Sequence, residues 1–141
     1  MIKRLSALLN HRLASAGAIT AAAAGAFVVL RHIDPNQPGS VLPPCPVYAL
    51  TGLFCPGCGA TRCLHALAHF DLATAMAMNP LLVLSLPALA LLTAYGAGLL
   101  PAVLLPLARQ LCRPIAWAVL LGAYAIARNL PWAPWNWLAP G

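Results

Sequence analysis

Three long apolar runs, separated by short polar breaks, organise this chain. The first, LASAGAITAAAAGAFVVL at 13–30, holds no charged residue in 18 positions. That is just enough helix to cross a hydrocarbon core of roughly 30 Å. A cleaved signal peptide is the rival reading, because Ala21 to Ala24 follow a basic start, but the apolar run continues past them to Leu30. The second run occupies 80–105. Asn79 suits the N-cap, Pro80 suits the first turn, and Pro87 predicts a kink. The third, 111–130, is built on PIAWAVLLGAYAIA at 114–127, only 14 uncharged positions, and so draws on its flanks. Arg128 is expected to snorkel, and Trp132, Trp135 and Trp137 in the tail 131–141 form an interfacial belt.

Between the first two runs, residues 31–79 carry a turn-rich break, DPNQPGS at 34–40, then a Cys-rich loop, then ATRCLHALAHFDLATAMAM at 60–78. The last stretch has no Gly or Pro and predicts one amphipathic helix. The pattern gives an all-α integral membrane protein with three transmembrane helices plus an amphipathic helix after the Cys-rich loop.

Composition strengthens that picture. Hydrophobic residues are 62% of the 141 and charged residues only 7%, against roughly 25% charged in a soluble domain. The only acids are Asp34 and Asp71. The net charge of +6 does not signal nucleic acid, since the Lys and Arg residues stand singly at segment ends rather than in a basic stripe. They set orientation instead. Lys3 and Arg4 of the basic segment 1–12, with Arg12, Arg109 and Arg113, fall on one side; Arg31, Arg62 and Arg128 fall on the other. Five against three places the N-terminus in the cytoplasm and the Cys-rich loop outside, in a multi-pass protein of the inner or plasma membrane.

Chemistry concentrates in CPVYALTGLFCPGCGATRCLHALAHFD at 45–71, where four of the five cysteines are spaced Cys45-x9-Cys55-x2-Cys58-x4-Cys63. A C-x2-C pair on a Pro-Gly turn points both sulfurs the same way, which suits a tetrahedral metal knuckle or a reversible disulfide. Gly57 and Gly59 permit the tight backbone. Cys45, Cys55 and Cys58 supply three zinc-type ligands, and Cys63 or His65 is the fourth. His65 and His69 are four apart and share a helix face with Arg62. The competing assignments are a redox pair, Cys55 and Cys58 with Cys45 resolving, and an inert structural disulfide. Cys63 and Cys112 also suit plain burial as small hydrophobes. Asp71 and Arg62 are nine apart and do not face each other on a straight helix; Arg128 is the candidate partner of Asp71.

The pattern C-x5-T-G-x2-C-P-G-C-G-x-T-R, followed by an Asp and then by Asn-Pro opening an apolar span, resembles a bacterial membrane-protein family catalogued as domain of unknown function 2752. The resemblance covers about residues 41 to 130. It falls on Cys45, Thr51, Gly52, Cys55, Pro56, Gly57, Cys58, Gly59, Thr61, Arg62, Asp71, Asn79 and Pro80. This chain departs from the family's pattern at Cys63, where a small apolar residue is usual, and at Phe70, where Gly often precedes the Asp. The resemblance implies a membrane location and a shared motif, and no established activity.

The expected function is therefore a structural metal site, zinc-like, that shapes a docking surface for a membrane protein partner or a second copy within the lipid bilayer. A thiol-disulfide redox protein and an accessory subunit with an inert disulfide are the alternatives. No carboxylate pair and no Ser-His-Asp set supports hydrolytic chemistry.

Overall fold

The computed structural model describes residues 2–37, 40 and 45–140. The side chains of Lys3, Arg4 and Arg12, on which the orientation count leans, lie outside the described residues. So do Pro38 and Gly39 of the turn-rich break and Gly141 of the tail. Among the described residues every regular element is helical.

A long helix α1 (Ile2–His32) leads into the loop, so the basic segment and the first apolar run form one continuous element. Three short helices follow: α2 (Pro46–Thr51), α3 (Ala60–Ala68) and α4 (Leu72–Met78). Helix α5 (Pro80–Ala97) is the longest apolar one. A 3₁₀ turn at Ala102–Leu104 and α6 (Leu105–Leu111) reverse the chain into α7 (Pro114–Arg128), and a 3₁₀ turn at Trp135–Leu138 closes the tail.

The 60–78 stretch is two helices, not one. Phe70 takes φ 60, Phe70 N–H donates to Leu67 O at 3.0 Å and Asp71 N–H to Ala66 O at 2.9 Å, which is a Schellman closure of α3. Asp71 then starts α4: its carboxylate accepts from Thr74 N–H at 3.0 Å and from the Thr74 hydroxyl at 2.6 Å. The break is written in a capping residue rather than in Gly or Pro. The Asp71–Arg128 pair is corrected by the same geometry, because Asp71 is occupied by its own helix and Arg128 is buried elsewhere.

The small core sits where α3 and α4 fold onto the start of α5. Cys63, Ala66 and Ala75 are buried together, with Leu67, Met78, Leu82 and Val83 packed on them. Arg31 ties α1 to this unit by donating to Ala68 O at 2.8 Å, at the carbonyl end of α3.

Helix α5 ends at Ala97, eight residues short of 105, because Gly98 turns left-handed at φ 72 and caps it. Its 18 residues have a mean hydropathy of 1.8 with 6% of the window buried, so it is long and apolar enough to cross a membrane. The segments Ala102–Leu111 and Pro114–Arg128 reach that length and composition only together, across a 54° bend. Gly17–His32 is a shorter apolar helix. One or two candidate spans are therefore present by length and composition.

Candidate metal centre

Cys45 stands at the N-cap of α2, and Pro46 opens that helix. Thr51 and Gly52 end it. The Thr51 hydroxyl donates to Val47 O at 2.6 Å and accepts Leu53 N–H at 3.1 Å, while Gly52, at φ 71, returns its N–H to Tyr48 O at 2.9 Å. The chain is thereby turned so that Cys55 comes back to Cys45, with Tyr48 and Phe54 stacked at 4.7 Å beside it. Pro56 and Gly57 make the turn that brings Cys58 round, closed by Cys58 N–H to Cys55 O at 3.1 Å.

Three sulfurs converge. Cys45 Sγ and Cys55 Sγ are 3.4 Å apart, the Cys58 thiol donates towards Cys55 Sγ at 3.2 Å, and all three lie within 4.8 Å of one another. A disulfide requires about 2.05 Å, so all three are thiols. Sulfurs on a tetrahedral zinc, with Zn–S of about 2.3 Å, sit roughly 3.8 Å apart, about 0.4 to 0.6 Å wider than the two shorter spacings here. Cys55 N–H points at Cys58 Sγ at 3.1 Å, a backbone donor ready for a bound thiolate.

The sulfurs differ in environment. The Tyr48 amide and the neighbouring thiols hold Cys45 down to about 7. Burial pushes Cys58 up to about 12, and its two thiol neighbours add to that. Cys45 thus gives up its proton more readily than Cys58, which ionises only when a cation takes the place of its proton.

Cys63 and His65 do not join them. Cys63 is fully buried in the core, its thiol facing Asn79 O at 3.8 Å. His65 Nδ1 lies 2.6 Å from Leu30 O, with Nε2 3.7 Å from Asp34 and the ring 4.7 Å from His69. It bolts α3 to the end of α1. Thr61 and Arg62 sit on the exposed side of α3.

What holds the sulfur loop comes from the helix ends. Asn79 is 2% exposed and makes four kinds of contact. Its Oδ1 accepts Leu82 N–H at 3.0 Å, the N-cap bond, and the Tyr124 hydroxyl at 3.2 Å; its Nδ2 donates to Pro56 O and Cys58 O at 3.0 and 3.3 Å. Asn129 clamps Phe54, accepting its N–H and donating to its carbonyl, both at 2.9 Å. Gly59 is pressed against the end of α4: at φ +76, a Cβ there would stand 2.7 Å from Met78 O.

The comparisons bear on this segment. A family model described as "Protein of unknown function (DUF2752)" matches residues 45–93. Over those residues the chain is similar to the DUF2752 family. No curated protein and no solved structure matches the chain. The DUF2752 segment begins at the first cysteine of the cluster and ends within α5, so it contains all three converging sulfurs together with Asn79 and Pro80. Arg128 and Asn129, which brace the same loop, lie beyond it. Sequence reasoning missed both as site residues. The only signal was an Arg-Asn pair closing an apolar run, which reads as an interfacial anchor.

Proposed function

We propose that this is a small multi-pass membrane protein in which Cys45, Cys55 and Cys58 bind one structural, zinc-type ion. The ion fixes the loop as a docking surface for a membrane partner, on the outer face of the bilayer. The observation that carries the reading is the convergence of the three sulfurs within 4.8 Å. Nine residues of sequence lie between the first and the second, so the closeness is made by the fold. Loops of this length hold together when a cross-link offsets the entropy of closing them, and a metal bound only by the folded chain adds its binding energy to folding.

The membrane placement draws on the outer surface. Leu84, Leu89, Ile115, Val119 and Ile126 on α5 and α7 are exposed, as are Trp132, Trp135 and Trp137 of the tail. Apolar area on this scale is favourable against lipid and unfavourable against water.

Metal content per chain, measured on protein purified in mild detergent without chelator or added metal, tests the reading. About one zinc per chain is expected in the wild type, little in Cys58→Ser, and about one still in Cys63→Ala and in His65→Gln. An absence of metal in the wild type would overturn it and direct attention to thiol exchange at Cys55 and Cys58.

A further inference from the structure

Arg128 is 1% exposed, yet neither of the two Asp side chains reaches it. The chain has two acids, and both are placed elsewhere: Asp71 caps α4, and Asp34 binds Asn36 and faces His65. The guanidinium is satisfied wholly by backbone carbonyls. Nε donates to Leu138 O at 2.9 Å and Nη2 to Met78 O at 3.1 Å. Nη1 donates to Cys58 O at 2.8 Å, Cys55 O at 3.2 Å and Pro56 O at 3.4 Å. The Tyr124 ring lies 5.1 Å away. Each guanidinium nitrogen thus has an acceptor, but among the described residues no side-chain carboxylate stands against the charge, and a buried uncompensated charge is costly. A neutral fork donor would satisfy the same carbonyls without that cost.

Three of the five carbonyls belong to the sulfur loop. Through these carbonyls the cation is joined to the backbone of two of the three cysteines, Cys55 and Cys58, whose thiols converge with that of Cys45. A divalent ion displacing three thiol protons, M²⁺ + 3 Cys–SH → M(S-Cys)₃⁻ + 3 H⁺, leaves one net negative charge on the centre and releases the protons to solvent. That single negative charge matches the single positive charge of Arg128. We propose that Arg128 is the positioning residue and internal counter-charge of an anionic metal–thiolate centre, acting through the carbonyls of Cys55, Pro56 and Cys58 without touching the metal. The inference rests on the metal reading above. It explains why a full charge, rather than an amide like the neighbouring Asn79 and Asn129, occupies the buried position.

Cobalt(II) titration of the full chain in detergent tests it, reading affinity and the thiolate-to-cobalt absorption, with helix content followed in parallel. Arg128→Gln keeps a polar donor and removes the charge; it is expected to weaken Co²⁺ by about 10- to 100-fold at unchanged helix content. Arg128→Lys keeps the charge with a poorer donor set and is expected to recover most of that loss. If both variants bind Co²⁺ as the wild type does, or if the lysine is no better than the glutamine, the counter-charge role is overturned while the metal reading stands. If Arg128→Gln does not fold, the lysine variant decides alone: affinity within about tenfold of wild type supports the proposal, and a larger loss overturns it. If neither folds, Arg128 is a structural brace and the proposal is overturned. A wild type that gives no thiolate-to-cobalt band ends the metal reading itself.

Discussion

Gly59 shows how narrow the tolerances around the sulfur loop are. Its left-handed backbone starts α3 immediately after Cys58, and its missing Cβ lets the end of α4 approach. Gly59→Ala imposes the left-handed penalty of about 1–2 kcal/mol on an L-residue, and adds a clash with a backbone carbonyl that cannot rotate away. The expected outcome is a lowered thermal midpoint in detergent and loss of metal together, read by circular dichroism and metal analysis. At this scale much was legible. Gly52 and Gly59 were marked by the motif, and both adopt the positive φ that only glycine takes cheaply. Cys45, Cys55 and Cys58 were marked by spacing, and they meet. His65 was grouped with them as a candidate fourth ligand by its closeness in sequence, which does not fix which way its face of α3 turns. The face carrying His65 turns towards α1.

Among the elements, the α3–α4 break depends on a single carboxylate. Hydrogen bonds from Thr74 hold Asp71 below the usual 3.8. The sign follows: a carboxylate depressed on folding contributes stability that is fully present above 3.8 and is lost as pH falls through its lower folded value. The protection factor of the Thr74 amide, its exchange relative to the unstructured rate at the same pH, is expected to fall as pH drops through that window in the wild type. In Asp71→Ala it is expected to be low throughout, without that acid transition. A wild-type protection factor that does not fall would remove the cap from the account. Phe70, which precedes it, is 86% exposed and sits where only the backbone conformation matters. The glycine that the family pattern often carries there is what that conformation favours. A propensity reading passes over the break because Phe and Asp each look tolerable in mid-helix.

For the whole molecule, α5 and α7 set the distance between the two ends. Asn79 and Arg128, at one end of each helix, meet the sulfur loop, whereas Cys112 precedes α7 at its other end and is exposed. Eighteen residues of α5 amount to roughly 27 Å at about 1.5 Å per residue. In the proposed topology Cys112 faces the cytoplasm. A membrane-impermeant maleimide applied to intact cells after chelation is therefore expected to label Cys45 or Cys55 and to spare Cys112 until the membrane is opened. Labelling of Cys112 in intact cells would invert the orientation.

The sequence by itself determined the helical class, the apolar runs, the Asn79-Pro80 helix start and the three sulfurs. Each of these is local: a run of residues, a cap or a spacing carries its own physical consequence. Only the tertiary structure decided what surrounds the sulfurs. Arg128 and Asn129 are about 70 residues from the loop they hold, and nothing in their local pattern separates a snorkelling anchor from a buried brace. That choice is made when the end of α7 returns to the start of α5 and finds unpaired carbonyls at the end of α4 and in the sulfur loop.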